Sequence, residues 1–360
     1  MYNFVNFIKR LSLGLMILLI GSCQTKTSSK ETELNPKIGT REGTYIQGDG
    51  SVNLKLVDEF VGIIKTNWYK RDTVNWNTFK KNIIIKLKAS KYHNKYDKVF
   101  SETLKILEPH SKYFKSKPSK IKSIKRISVV RYPTLFLLDS NILWIKIPSI
   151  LWKSEKLNHR MYAKIGQNLI CKTKKSSSTW VIDLIGNGGG EIWPMILAIA
   201  PLLDKGNIGS FSSLKGKDCP VSKCPKHEWP CNCWMNKNKW VGSGAHQMDH
   251  LSIQKPCKHL KSQKIFILTD SSTLSAAEAV VVAFKGQKNV YHIGQPTGGL
   301  SSANSRHSLS NGANVVIPGS VFADCNGKLY GGKIKPDITI SEEILNNDRL
   351  LYKTILELAD

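Results

Sequence analysis

The stretch that most constrains the fold is residues 274–278, Leu-Ser-Ala-Ala-Glu, which joins a strand to a helix. The apolar residues 264–270 predict a buried strand, and the alanine- and valine-rich residues 276–285 predict a buried helix. Ser275 therefore lies at a helix N-terminus, where unpaired N–H groups and the helix dipole favour the negative charge that develops in acyl transfer. A purely structural alternative exists, because Ser275 and Glu278 also have the spacing of a capping box.

A second strand, residues 179–185, runs directly into the glycine-rich residues 186–190, and a helix is predicted at residues 192–203. A strand, a glycine loop and a helix together offer backbone N–H groups to an anion. The pattern is not a dinucleotide fingerprint, because Glu191 occupies the place of the third glycine, and it is not a P-loop, because no Gly-Lys-Ser/Thr follows. A tight turn with close helix packing is the alternative.

Further elements are expected on either side of these two units. Residues 51–115 carry helical periodicity and predict a small helical N-terminal subdomain. Strands are predicted at residues 127–132 and 141–148, and a final helix at residues 343–358.

The N-terminus predicts an export signal. Two basic residues precede an apolar run, residues 11–20, that is too short to span a bilayer as a mature helix, and Ile-Gly-Ser-Cys23 follows as a lipobox. We expect a signal peptide at residues 1–22 and a polar, flexible tether at residues 23–50. By resemblance to bacterial lipoproteins, Cys23 would be the lipidated mature N-terminus, which anchors the chain in the bacterial cell envelope, facing the periplasm or the cell surface. An ordinary cleaved signal peptide is the alternative.

The net charge indicates which kinds of partner to expect. Lysine and arginine number 53 against 27 acidic residues, a net charge of +26. The lysines are scattered and form no stripe interleaved with aromatic residues, so we expect no nucleic-acid partner. The balance favours anionic surroundings such as lipid headgroups or acidic polymers.

Residues 205–262 form a cysteine-rich insertion. Its cysteine spacings do not match a paired C-x-x-C zinc site, and disulfides are the default in an exported protein. We therefore expect disulfides, with zinc as the alternative, and no metal at the functional site. With Cys171 and Cys325, the mature chain has seven cysteines beyond Cys23, so at least one is free or pairs between chains. The insertion's cysteines are Cys219, Cys224, Cys231, Cys233 and Cys257.

An ordered set of motifs resembles the serine peptidases that include the C-terminal processing proteases and the tricorn core protease. Residues 108–111, Glu-Pro-His-Ser, are similar to the family's Asp-Pro-His-Ser/Thr. Residues 181–190 are similar to its Ile-Asp-Leu-Arg-x-Asn-x-Gly-Gly, and residues 273–278 to its Thr-Ala-Ser-Ala-x-Glu, whose first serine is the nucleophile. Shorter matches lie at residues 143–149, 294–299 and 334–337, so that the resemblance spans about residues 52–340.

The resemblance implies an α/β fold, in which the helical subdomain precedes a crotonase/ClpP-like catalytic core at residues 125–360. It also implies that Ser275 is the nucleophile. The processing proteases use a lysine base, and Leu300 occupies that position here; leucine cannot accept a proton. The tricorn-like branch uses a histidine, which makes His110 the candidate base, since a neutral imidazole suits that role near pH 7.

Two family features have no counterpart. The glutamate that supports tricorn catalysis is absent at residues 329–331, so nothing in the sequence identifies the group that orients His110. Roughly thirty residues separate His110 from the strand near Leu143, which is too few for the PDZ domain of the processing proteases.

The function expected from these features is that of a lipid-anchored cell-envelope serine peptidase acting on peptide or protein substrates without a cofactor. The N–H groups of Ala276, Gly188 and Gly189 would hold the oxyanion. The alternative is a catalytically inactive binding protein on the same scaffold.

Overall fold

The computed structural model describes residues 51–92, 94–115, 130–139, 141–151, 156–173, 179–203, 208–212, 235–236, 239–240 and 264–359. These residues belong to one compact unit, Gln47–Asp360. The predicted signal peptide, the tether with Cys23, and the five cysteines of the insertion lie outside the described residues.

Helices and strands alternate along much of the chain. The helices are α1 (Leu54–Asn67), α2 (Trp76–Ala89), α3 (Lys95–Leu107), α4 (Lys156–Cys171), α5 (Ile192–Ile199), α6 (Ala276–Phe284), α7 (Glu342–Leu345) and α8 (Asp348–Ala359). The strands are β1 (Lys112–Phe114), β2 (Thr134–Asp139), β3 (Ile142–Lys146), β4 (Thr179–Asp183), β5 (Ser210–Ser212), β6 (Met235–Asn236), β7 (Lys239–Trp240), β8 (Ile265–Thr269), β9 (Val290–Gly294), β10 (Ser302–Ser308), β11 (Asn314–Ala323), β12 (Leu329–Tyr330) and β13 (Ile338–Thr339).

The larger sheet has the strand order β13-β9-β8-β4-β3-β2, and its neighbours are parallel except for the antiparallel pair β2 and β3. Both faces are covered. Trp180, Ile182 and Ile267 pack on one face against α4, α5 and α6, while Val181 and Phe266 pack on the other against α8. Burial on both faces explains why these strands are continuously apolar, as is usual in parallel sheets. Because β4 and β8 are parallel neighbours, their carboxyl ends lie side by side.

The second sheet is antiparallel and centred on β11, which pairs with β1, β5, β10 and β12. Helices α1 to α3 pack against it, and Phe60 and Phe100, whose rings stack at 3.9 Å, share a core with Val315 and Ile317. The helical N-terminal region is thus confirmed, and it shares a core with this sheet. The mixed α/β class is confirmed as well.

Two predicted elements differ from the structure. The strand predicted at residues 127–132 is wrong over its described part: residues 130–133 are irregular and β2 begins at Thr134, directly after Pro133, which has no N–H to give to a sheet. The final helix is divided in two. Asn347 accepts hydrogen bonds from the N–H groups of Arg349 and Leu350 through its side chain, so a new helix begins after it.

No helix in the described ranges has the length and apolar character needed to cross a membrane.

Candidate active site

Ser275, the predicted nucleophile, lies at the sharp turn between β8 and α6, residues 270–275, which we call the nucleophile turn after that prediction. Its backbone has φ 55° and ψ −114°. Among the described residues, Ser275 and Asn289 are the two non-glycine residues with positive φ. Such a backbone costs of order 1–3 kcal/mol and concentrates at functional sites, where the surrounding structure imposes it. Strained strand-to-helix turns of this kind expose a nucleophilic hydroxyl in hydrolases.

Glu278 holds this turn in place. Its side chain is fully buried, and Oε2 accepts hydrogen bonds from the N–H of Ser275 at 2.8 Å and the N–H of Leu300 at 2.7 Å. Oε1 accepts from Thr297 Oγ1 at 2.6 Å and from the N–H of Gly299 at 3.0 Å. Burial raises the pKa of the Glu278 carboxyl, and these hydrogen bonds oppose the rise because they stabilise the charged form. Glu278 therefore links the nucleophile turn to residues 297–300, which goes beyond the capping role.

The glycine loop after β4 touches the nucleophile turn. A Cβ placed on Gly189, whose φ is +88°, would lie 2.6 Å from Leu274 O, 2.9 Å from Ser275 Cβ and 3.0 Å from Ala276 N. No side chain fits there, so glycine is needed for this approach.

Asn187 connects the same two turns. Its backbone carbonyl accepts from the N–H of Leu274 at 2.9 Å, and its side-chain Nδ2 donates to Ile147 O at 2.7 Å. Asn187 Oδ1 accepts from the N–H of Gly189 at 2.9 Å and from Ser149 Oγ at 3.0 Å. The buried amide thereby fixes the glycine loop against the end of β3 and against the nucleophile turn.

The three N–H groups predicted to hold an oxyanion differ in their hydrogen bonding. The Gly189 N–H donates to Asn187 Oδ1 at 2.9 Å and so already has a partner within the protein. Within the described part of the chain, the N–H groups of Ala276 and Gly188 donate to no protein acceptor. Ala276 and Gly188 are therefore the donors that remain for an oxyanion.

His110 lies between α3 and β1 with 6% of its surface exposed, which differs from the solvated side chain usual for a single loop histidine. Its Nδ1 is 2.8 Å from Ser302 Oγ, and its backbone carbonyl accepts from Asn304 Nδ2 at 3.3 Å. Burial, and then the positive charge of Lys112, lower the pKa of His110 to about 4. The imidazole is therefore neutral at pH 7, and its two nitrogens can divide the donor and acceptor roles.

The loop that carries His110 is anchored by Glu108. This buried carboxylate accepts from the Tyr69 hydroxyl at 3.0 Å and from Lys70 Nζ at 3.3 Å, and its backbone carbonyl accepts from the N–H of Ser111. Tyr69 in turn donates its N–H to Pro318 O on β11. Residues of the helical region thus hold His110 against the second sheet.

Ser302, the contact of the His110 ring, is not marked by any motif in the sequence. It lies 192 positions from His110 along the chain. Its N–H donates to Leu300 O at 2.8 Å, and the Leu300 N–H donates to Glu278. The sequence points to Ser302 only through its position. Ser302 lies two residues after Leu300, which takes the place of the processing proteases' lysine.

The described residues contain no cluster of three His, Cys, Asp or Glu side chains that could hold a metal ion. Cys171 is disulfide-bonded. The Cys325 sulfur lies 3.3 Å from the carbonyl of Lys285.

Comparison with known proteins places the chain among peptidases. Residues 141–340, more than half of the chain, match the family described as peptidase family S41. The nisin-resistance protein of Lactococcus lactis subsp. lactis is 26% identical over 247 residues, which cover 67% of this chain and 71% of that protein.

Two solved structures share the fold. A lipoprotein from Streptococcus agalactiae superposes with a TM-score of 0.62 at 23% identity, covering 85% of this chain and 96% of that one. The photosystem II D1 C-terminal processing protease superposes with a TM-score of 0.53 at 12% identity, covering 82% and 95%.

Proposed function

The chain belongs to peptidase family S41, and we propose that it is a serine peptidase in which Ser275 attacks the substrate carbonyl and His110 is the general base. The observation that carries the proposal is the strained backbone of Ser275, held between the glycine loop and the buried Glu278. A serine that served only as a helix cap would not need this backbone, because cap residues ordinarily have extended dihedral angles.

The proposed reaction needs only groups of this chain and water. His110 Nε2 takes the proton of Ser275 Oγ as this oxygen bonds to the carbonyl carbon, and the oxyanion that forms accepts from the N–H groups of Ala276 and Gly188. The imidazolium then gives its proton to the leaving amine as the C–N bond breaks. Water hydrolyses the acyl-serine ester in the second half, with His110 again taking and returning a proton.

A lysine base does not take part at residue 300. Leu300 carries no proton acceptor in its side chain, and its N–H donates to Glu278. The loop thus keeps a structural connection to the nucleophile turn, and Ser302, two residues further along the chain, contacts His110.

The test is peptide hydrolysis by Ser275→Ala. We expect turnover to fall by roughly 10⁴- to 10⁶-fold, as for other serine nucleophiles. Ser272→Ala, which removes an exposed hydroxyl from the same turn, is the matched control and should keep wild-type turnover. Wild-type turnover by Ser275→Ala would refute the assignment.

The second candidate is a binding protein without catalysis. The observation that favours it is that His110 Nδ1 contacts a neutral hydroxyl, whereas serine hydrolases usually place a carboxylate there. Binding of a peptide with equal affinity by wild type and Ser275→Ala, without cleavage by either, would support this candidate.

We further propose that the substrates include peptide antibiotics. The support is the nisin-resistance protein among the relatives, since nisin is itself such a peptide. Incubation with nisin, followed by mass spectrometry, tests this proposal. Intact nisin alongside cleavage of other peptides would refute the substrate class and leave the peptidase assignment standing.

We also propose that Cys23 carries a lipid and holds the enzyme at the bacterial membrane surface. The lipobox and the polar residues after it support this location. Cys23→Ser should move the protein from the membrane fraction to the soluble fraction, while Cys325→Ser should leave it in the membrane fraction. Membrane retention of Cys23→Ser would contradict lipid anchoring.

A further inference from the structure

We infer that Ser302 is the positioning residue of His110: its hydroxyl accepts the Nδ1–H and thereby leaves Nε2 free to take the Ser275 proton. This inference rests on the proposed peptidase function. It supplies the orienting group for which the sequence offers no carboxylate.

The contact is short and shielded. Ser302 Oγ and His110 Nδ1 are 2.8 Å apart, and the two residues are 4% and 6% exposed. A neutral imidazole has one N–H and one lone pair, so the partner of one nitrogen decides the role of the other. With the proton on Nδ1, Nε2 can act as a base. With the proton on Nε2, this nitrogen has no free lone pair and cannot act as a base.

The position of Ser302 is coupled to that of the nucleophile. Ser302 N–H donates to Leu300 O, Leu300 N–H donates to Glu278 Oε2, and the same oxygen accepts from the N–H of Ser275. One buried carboxylate therefore sets both the nucleophile turn and the segment that ends in Ser302.

The second sheet adds an independent constraint. His110 lies two residues before the start of β1 and Ser302 begins β10, and both strands pair with β11. Asn304, two residues along β10, also donates to the His110 carbonyl. The His110 ring and backbone are thus both held by the start of β10.

A hydroxyl can orient the ring but does not stabilise the imidazolium as a carboxylate would. Loss of one such hydrogen bond is worth about 1.4 kcal/mol, which corresponds to about a tenfold change in rate. We therefore expect Ser302→Ala to lower kcat about tenfold, with KM nearly unchanged because a residue that positions the base acts on the proton transfer rather than on substrate binding.

Ser301→Ala is the matched control. Ser301 is also buried, and its hydroxyl donates to Gly332 O at 2.7 Å, away from His110. Both variants lose one buried hydroxyl contact, so a general loss of packing would lower both activities equally. We expect Ser301→Ala to keep kcat within twofold of wild type, and Ser302→Thr, which keeps a hydroxyl, to recover most of the activity lost in Ser302→Ala.

The histidine tautomer gives a readout that does not depend on activity. In the ¹⁵N spectrum of the substrate-free protein, with His110 assigned by comparison with His110→Gln, we expect the Nδ1–H tautomer in wild type and a mixture in Ser302→Ala. An Nε2–H tautomer in wild type, or an unchanged kcat in Ser302→Ala, would overturn the inference. Failure of the peptidase proposal itself is distinguishable, because wild type would then show no hydrolysis that depends on Ser275.

Discussion

The backbone of Ser275 sits in a region that glycine occupies without steric cost and other residues avoid. This predicts an unusual order of stability for two inactive variants. Ser275→Gly relieves the strain and Ser275→Ala retains it, so Ser275→Gly should unfold with a free energy about 1 kcal/mol higher than Ser275→Ala, after the entropy cost of glycine. Urea denaturation of both variants measures the difference. Equal stability, or a more stable alanine variant, would mean that the turn is not strained.

The Glu278 carboxylate acts only as an acceptor. It accepts hydrogen bonds from the N–H groups of Ser275, Gly299 and Leu300 and from the hydroxyl of Thr297. Glu278→Gln would place an amide NH₂ against some of these donors. We expect a loss of about 2–3 kcal/mol in unfolding free energy, together with reduced kcat, because hydrogen bonds to charged groups are the stronger ones. Glu343→Gln, on an exposed residue of α7, should change neither quantity. A Glu278→Gln protein with wild-type stability and kcat would show that the carboxylate does not organise the site.

At the scale of the elements, two glycines in helices should respond in opposite ways to alanine. A Cβ on Gly166 of α4 would lie 2.5 Å from Ala198 Cβ on α5, whereas a Cβ on Gly62 of α1 would meet nothing within 4 Å. Gly166→Ala should therefore destabilise the protein by about 1–3 kcal/mol, and Gly62→Ala should stabilise it by about 0.5–1 kcal/mol. Thermal unfolding of the two variants checks both signs. A stabilised Gly166→Ala would contradict the close packing of α4 on α5.

The elements that the sequence predicts well are those with a strong local pattern. β8, α6, β4 and α5 are almost continuously apolar, and these patterns predict them directly as buried elements. β11 is harder, because Pro318 and Gly319 interrupt its pattern, although the strand continues through them. β2 is an edge strand whose start depends on Pro133, and the division between α7 and α8 depends on the cap at Asn347.

The same distinction holds for the candidate site. Ser275 and the glycine loop follow from local motifs, and His110 enters through a family resemblance. Ser302 does not follow from any motif, because its contact with His110 depends on strand pairing that joins residues 192 positions apart. The engagement of the Gly189 N–H depends likewise on the rotamer of Asn187, which a motif does not specify.

At the scale of the whole molecule, buried histidines make stability depend on pH. Burial lowers the pKa of His110 to about 4, and burial together with the charge of Lys285 lowers the pKa of His292 to about 3. Both are neutral in the folded protein, whereas in the unfolded chain they take up protons near pH 6.5. Their stabilising contribution is therefore complete above pH 6.5 and is lost as the pH falls toward 4.

The expected slope is a loss of up to about 1.4 kcal/mol per pH unit for each histidine. The raised pKa of Glu278 acts in the opposite direction, because its protonated form is favoured in the folded state. Urea denaturation between pH 7 and pH 5 should show lower stability at the acid end, and His292→Gln should reduce the slope. Stability that is constant over this range would mean that these histidines are not buried as neutral side chains.

Reaction with a fluorophosphonate tests whether Ser275 is a nucleophile activated by His110. The serine oxygen bonds to phosphorus and fluoride leaves, so the product is a mass adduct that peptide mapping can locate. We expect the adduct on Ser275 in the mature wild-type protein, no adduct on that peptide in Ser275→Ala, and much slower labelling in His110→Gln. A wild-type protein that stays unlabelled at Ser275 would refute the nucleophile, and labelling that is equally fast without His110 would refute the base.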